Sequence, residues 1–252
     1  MKFHVLGCGP AGLLAAHAGV RAGLDVQVHS IKMPSDIKGA QFIHQPVEGL
    51  TYPEPDFMVT FEKWGHKEVY ADKVYGDPEA PCSWDLFSGE VPAWSMIEVY
   101  QNLWEKYHNL IVDGEIRAPY IKDLLERGDI VVSSITPQGY CTGEGHGFQW
   151  QNVWINEECN IPSTPKDRNV IVYNGAQDED WYRSSMLGGF GGTEWGQKNP
   201  EAPRTSRKPL STNCDCFLAY PDFWRIGRFG EFKKGLLVSD AYDRACEVVN
   251  AL

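Results

Sequence analysis

The stretch that most constrains the fold of this chain is Lys2 to Ser30, which reads as a strand, a glycine turn, a helix and a second strand in immediate succession. Phe3-His4-Val5-Leu6 is short and apolar, and it runs straight into Gly7-Cys8-Gly9-Pro10-Ala11-Gly12. This is a G-x-G-x-x-G turn in the setting that gives the motif meaning. Gly7 lets the chain turn sharply out of the strand, Gly9 lets the backbone approach a pyrophosphate, and Gly12 lets the helix pack closely on the sheet. Ala11 to Ala22 is rich in Ala and Leu, which favour helix, and its first N–H groups are free to face phosphates. Gly23 stops the helix, and Asp25-Val26-Gln27-Val28-His29 alternates as a strand. The competing reading, a glycine turn of purely structural use, does not require this full context.

The pair Pro10-Ala11 makes the turn resemble that of the glutathione-reductase-type flavoprotein superfamily more than that of NAD dehydrogenases. The resemblance implies FAD, with Gly7, Gly9, Pro10, Ala11 and Gly12 at the cofactor. One departure matters. The family usually ends its second strand in Glu or Asp to hold the adenosine ribose, and this chain has Ser30, with Lys32 nearby. Ser30 can still bond a ribose hydroxyl, whereas Lys32 suits a 2′-phosphate, so NADP stands as the alternative cofactor.

The 252 residues suffice for one large or two small domains. With 42% apolar and 23% charged residues the composition is that of an ordinary globular protein, and no run reaches the roughly 20 apolar residues of a membrane span. The first apolar run has no basic residues in the pattern of a signal peptide and ends in a glycine turn, so a cytoplasmic location is expected. A net charge of −11 argues against direct nucleic-acid binding, which draws on Lys and Arg. Seven cysteines in such a chain are expected to be free thiols.

After the second strand, residues 32 to 45 read as a loop ending in Ala40-Gln41-Phe42-Ile43-His44. In the superfamily this loop passes the cofactor, so Gly39, Gln41 and His44 are candidates to line the site, His44 either as proton donor or as a polar loop residue. Asp56 to Tyr70 reads as a β-hairpin about Gly65, the aromatic run to Trp94 as a loop, and Met96 to Tyr107 as a helix packed through Ile97, Tyr100, Leu103, Trp104 and Tyr107. A strand at 110–112, a helix at 120–127 and a buried strand at 129–134 follow. The last runs into Ile135-Thr136-Pro137, which resembles the second FAD-contacting segment of the superfamily and marks Thr136. Further strands are expected at 148–150, 153–155 and 170–173. Trp181-Tyr182-Arg183 and Glu194-Trp195 suit either a polar substrate or an amphipathic sheet face. Gly188 to Pro209, rich in glycine, reads as a mobile loop.

Phe223-Trp224-Arg225-Ile226 reads as the closing strand and residues 236–252 as the closing helix. Between them, Gly227-Arg228-Phe229-Gly230-Glu231-Phe232-Lys233 resembles the turn that closes over FAD in UDP-galactopyranose mutase. That likeness brings Gly227 and Arg228 to the cofactor, and the planar fork of Arg suits two phosphate oxygens. The middle of the chain does not match the mutase, whose helical substrate domain has no room here. The whole pattern is similar to small FAD-dependent oxidoreductases of actinobacterial bacteriophages.

The expected fold is therefore α/β. A Rossmann-like FAD-binding parallel sheet (residues 1–45, 108–140 and 220–252) carries a small antiparallel β layer (46–107 and 141–219) as a substrate-covering region. The expected function is an FAD-dependent oxidoreductase acting on a small polar metabolite, with the flavin ring held between the Thr136 and Gly227 loops and the antiparallel layer. A mutase-like transferase or lyase without net redox and a non-catalytic FAD-binding module are the alternatives. No nucleophile-and-base pair stands at recognisable spacing; His44, Tyr173 and Arg183 are the candidate site groups outside the cofactor motifs. Cys141-x4-His146 and Cys214-Asp215-Cys216 offer either four donors for tetrahedral zinc or, in Cys214 and Cys216, a redox pair. Neither is chosen from sequence, and no metal ligand is assigned.

Overall fold

The N-terminal apolar run becomes the middle strand of a parallel sheet, as a run buried on both faces must. In the computed structural model, which describes residues 1–30, 41–114, 116–162, 165 and 167–252, the elements in chain order begin with β1 (Phe3–Leu6), α1 (Pro10–Arg21), β2 (Val26–Ser30), β3 (Phe42–Ile43) and β4 (Phe57–Gly65). They continue through α2 (Lys67–Tyr75), β5 (Gly89–Ser95), α3 (Met96–Tyr107), β6 (Ile111–Asp113), α4 (Ala118–Glu126), β7 (Ile130–Ser133), β8 (Phe148–Asn156) and β9 (Val170–Gly175). The chain closes with β10 (Arg183–Leu187), β11 (Phe190–Trp195), β12 (Arg204–Thr212), β13 (Phe223–Arg225), α5 (Gly227–Gly230) and α6 (Val238–Asn250). It divides into two compact units, Met1–Tyr52 with Ser95–Gln149 and Pro209–Leu252, and Pro53–Trp94 with Trp150–Lys208. Residues 46–52, 95–107, 141–149 and 209–219, assigned to the covering region from sequence, lie in the first unit.

The first unit is built on a five-stranded sheet in the order β13-β7-β1-β2-β6, with every described pairing parallel. Helices cover both faces. Gly19 of α1 abuts Phe3 and Val26, so α1 lies on the Phe3, Val5 and Val28 face. Leu6, Val131 and Phe223 point the other way and form a buried cluster with Ile121, Leu124 and Leu125 of α4. Each such side chain, fully buried, contributes about 1.5–3 kcal/mol. Ile226 extends the closing strand by donating its N–H to the Ser133 carbonyl at 2.9 Å.

In the second unit the strands run β12-β8-β11-β10-β9-β4-β5. The sheet is mostly antiparallel, but β4 pairs parallel with β9. Three readings from sequence are corrected here. Residues 68–70 are helical and not the second arm of a hairpin. β4 runs on to Gly65, where a Cβ would meet the Gly175 carbonyl at 2.2 Å, and the chain leaves as α2, which buries Tyr70, Ala71 and Val74 at helical spacing. The partner of β4 on the other side is β5, which occupies the run to Trp94 that reads as a loop. The glycine-rich segment after Leu187 is likewise structured. Gly188 and Gly189 form a tight turn with φ of +56° and +81°, joining β10 to β11 so that Leu187 opposes Phe190. Gly191 has no side chain because a Cβ would stand 2.8 Å from the Cys159 backbone nitrogen. Two of these glycines serve the turn and the third close packing.

Candidate cofactor-binding site

The three glycines of the first turn are required for different reasons. At Gly7, φ is +103°, and a Cβ would lie 2.6 Å from Ser134 Oγ and 2.8 Å from Ile135 Cγ2. At Gly12 a Cβ would lie 1.9 Å from the Gly7 carbonyl oxygen. Both positions are closed by the protein's own packing. Nothing stands within 4 Å of a Cβ at Gly9, and its φ of −71° suits any residue. Gly9 is the N-cap of α1, with Pro10 next, no side-chain cap and no acidic residue in the first turn. The N–H groups of Ala11 and Gly12 belong to the orphan donors of a helix start, and with the positive end of the helix dipole they make an anion-accepting corner. The donor set and the open space at Gly9 fit a phosphate group.

The ends of several strands surround this corner. The Cys8 thiol donates to Ser30 Oγ at 3.1 Å, joining the end of β2 to the turn. Ser134, just past β7, donates its hydroxyl to the Leu6 carbonyl at 2.9 Å, and Ile135 packs against Gly7. Thr136 follows half-buried, its carbonyl accepting from Gly139 N–H at 3.1 Å. The C-terminal turn arrives from far along the chain. Gly227, with φ of +67°, is held so closely that a Cβ would stand 2.9 Å from Ala11 Cβ and 3.3 Å from Ala241 Cβ; at Gly230 it would meet the Ser133 carbonyl at 2.3 Å. α5 is thus wedged against the start of α1, with half-buried Arg228 in it.

The loop candidates divide. Gln41 is half-buried, and its carbonyl accepts from Met96 N–H at 3.2 Å. His44 is half-buried with its ring 4.7 Å from that of Phe42. Burial lowers its pKa, against an opposing pull from Asp240. Lys32 and Gly39 lie outside the described residues. Tyr173 and Arg183 belong to the second unit, opposite each other on β9 and β10. Arg183 pairs with Glu194 at 3.4 Å. The same carboxylate accepts from Lys208 at 2.8 Å and from the Tyr182 hydroxyl. Despite burial, these cations hold the Glu194 carboxyl well below the usual carboxylate range. The charges read as suited to a substrate therefore satisfy one another across β10 and β11.

The sequence reading took Tyr100 as part of a packed helix face, and its polar end proves to be the more informative. Its hydroxyl donates to the Cys8 carbonyl at 3.0 Å, holding the glycine turn from α3, and burial pushes the phenol well above its ordinary pKa. The available signal was the choice of Tyr where Phe would pack as well. His17 of α1 is also buried, its ring nitrogens 2.7 Å from the Tyr107 hydroxyl and 2.8 Å from the Glu48 carbonyl. Away from these contacts but in the same unit, Cys141, His146, Cys214 and Cys216 converge, their donor atoms all within 4.8 Å of one another.

No protein-family model and no curated protein sequence matches the chain. Solved structures do. CtdE in complex with FAD superposes with a TM-score of 0.55 at 10% identity, over 100% of this chain and 84% of that one. Klebsiella pneumoniae HpxO complexed with FAD and uric acid gives 0.51 at 14% identity, over 99% and 77%. A 2-methyl-3-hydroxypyridine-5-carboxylic acid oxygenase gives 0.52 at 12% identity, over 98% and 80%. At such identities the likeness is one of fold, and it extends over the whole chain.

Proposed function

We propose, from a fold shared with FAD-bound proteins and an oxygenase, that this chain is an FAD-dependent oxidoreductase acting on a small polar metabolite. The observation that carries the reading is the corner at Gly9, uncapped, free of acidic residues and open where a Cβ would stand. In this reading the α1 N-terminus holds the pyrophosphate, Ser30 bonds the adenosine ribose, and Gly227 and Arg228 approach from the C-terminal turn. Gln41, Thr136 and, beyond the described residues, Lys32 complete the candidate set. Bound flavin would supply the redox chemistry, and the protein supplies binding, orientation and exclusion of water. His44 is the candidate proton-transfer group, since burial favours its neutral form at pH 7. Arg183 and Tyr173 are weaker candidates, because Arg183 already has a carboxylate partner. The first unit would be the FAD-binding domain and the second the substrate-recognition region. The uric acid held by one structural neighbour is itself a small polar compound, which agrees with the substrate class.

A second reading has its own support. The tight seat of Gly227 on Ala11 suits the mutase-like turn, in which reduced flavin works without net electron turnover. Purified protein should be yellow, and Gly9→Asp should abolish flavin uptake. A colourless protein that ignores FAD and binds NADP would assign the corner to the other dinucleotide. Anaerobic reduction followed by a substrate screen separates the chemistries. Reoxidation by substrate supports the oxidoreductase, conversion with flavin left reduced supports the mutase or lyase class, and flavin binding without conversion supports a binding module.

A further inference from the structure

We propose that Cys141, His146, Cys214 and Cys216 form a structural zinc site in the first unit. The donors come from two loops. Cys141 and His146 follow β7, and Cys214 and Cys216 precede β13, its neighbour in the sheet. Zinc with thiolate bonds of about 2.3 Å and imidazole bonds of about 2.0–2.1 Å places ligand atoms on a tetrahedron with S···S edges of about 3.8 Å and S···N edges of about 3.6 Å. Cys141 Sγ and Cys216 Sγ are 3.8 Å apart. His146 Nδ1 lies 3.7 Å from Cys216 Sγ and 3.1 Å from Cys141 Sγ. With all four donors inside 4.8 Å, closing on a metal takes shifts of about an ångström or less.

What surrounds the donors is the more specific argument. The outer ring nitrogen of His146, Nε2, lies 3.6 Å from Asp215 Oδ1, so the imidazole is aimed at the cluster with a carboxylate behind it. That is the usual arrangement behind a zinc-bound histidine. Gly143 makes room for the ring, since a Cβ there would stand 2.1 Å from His146 Cε1. Gly147 N–H donates to Asn213 Oδ1 at 2.6 Å, and the Thr212 hydroxyl donates to the Gly147 carbonyl at 2.8 Å, stitching the loops together beside the donors.

Charge supplies an independent reason. Arg225 is buried, donating to the Cys214 carbonyl at 2.7 Å, the Cys216 carbonyl at 2.9 Å and Cys214 Sγ at 3.6 Å. Among the described residues it has no carboxylate partner. A buried cation calls for a counter-charge. Three thiolates around a divalent ion leave one net negative charge beside the guanidinium, and the pair is neutral. Four protein ligands leave no open position, which makes the site structural and not catalytic. Its role is to clasp the chain close to where it leaves the first unit after Gln149 and re-enters at Pro209.

The test uses the full chain, expressed with zinc in the medium and purified reduced, without chelator. Elemental analysis should find one zinc per chain. Exchange for Co²⁺ should give the thiolate charge-transfer and red-region bands of a tetrahedral sulfur-rich site. His146→Ala and the double variant C214S/C216S should lose the metal, His146→Cys should keep it as a four-thiolate site, and Cys159→Ser in the second unit should leave it unchanged. Zinc-free protein that develops no cobalt bands overturns the proposal. So does metal retained at one per chain by C214S/C216S, or a Cys214–Cys216 disulfide in protein purified without reductant. If the variants fail to fold, zinc content and the cobalt spectrum of the unmodified chain still decide the matter.

Discussion

A single added carbon separates two roles within the glycine turn. At Gly12 the carbon would enter the van der Waals shell of a backbone carbonyl that cannot move without breaking the turn. Gly12→Ala is therefore expected to cost more than about 3 kcal/mol or to prevent folding, as overpacking against backbone does at its worst. Gly9→Ala meets nothing in the protein and should change stability by less than about 0.5 kcal/mol. It should nevertheless weaken flavin binding tenfold or more, because the methyl group occupies the ligand's approach. Thermal melts paired with flavin titrations check this. Equal melting losses in the two variants would show that Gly9 is a packing glycine and remove the main support for the cofactor corner.

Two contacts between elements carry more than their number implies. The hydrogen bond from α3 to the turn, Tyr100 to the Cys8 carbonyl, is buried. Tyr100→Phe keeps the packing and removes this hydrogen bond, so a loss of about 0.5–1.5 kcal/mol is expected in denaturant melts, with weaker flavin affinity. Glu194 of β11 is the shared partner of Arg183 of β10, Lys208 of β12 and Tyr182. Glu194→Gln keeps the shape and removes the carboxylate that Arg183 and Lys208 share. A loss of about 3–5 kcal/mol is expected from chemical denaturation. A loss below about 1 kcal/mol would mean that solvent screens the cluster.

At the scale of the whole molecule, stability should depend on pH through buried imidazoles. His4 Nδ1 lies 2.9 Å from His29 Nε2, and His4 Nε2 lies 3.4 Å from Asp129 Oδ2, a buried chain across the first sheet. Burial first, and then the neighbouring His4, pushes His29 down to about 4. His4 is lowered by burial too, in spite of Asp129. In the unfolded chain these groups protonate near pH 6.5, so between pH 6.5 and 4 the unfolded state binds more protons. Their contribution is therefore fully present above pH 6.5 and is lost as pH falls toward 4, with up to about 3 kcal/mol from His29 alone. Urea midpoints measured over that range should fall steadily, and His29→Phe should flatten the slope. A midpoint independent of pH would show that the pair is hydrated or protonated in the folded protein.

Local chemistry was enough for much of this chain. Strand, glycine turn, helix and strand from Phe3 to Ser30, the closing strand at Phe223 and the closing helix are legible because each has its period and its stop signal within a few residues. The corner at Gly9 was legible for the same reason, since a G-x-G-x-x-G turn is a contiguous motif. Where a residue's role depends on a partner far along the chain, sequence by itself was silent or wrong. Glu68 to Tyr70 has the apolar, aromatic look of a strand, yet after Gly65 the chain departs as a helix that buries Tyr70, Ala71 and Val74. The glycines after Leu187 look flexible, yet Gly188 and Gly189 make a tight turn at positive φ, and Gly191 and Gly196 are small because the Cys159 and Lys73 backbones approach too closely for a Cβ. Tyr100 and Arg225 read as ordinary core and strand residues until folding brings them to the Cys8 carbonyl and to the thiol cluster. Cys141 and Cys216 show the same division. Residue type alone identified them as possible donors, but only the adjacency of β7 and β13 in the sheet decided that both pairs of donors meet.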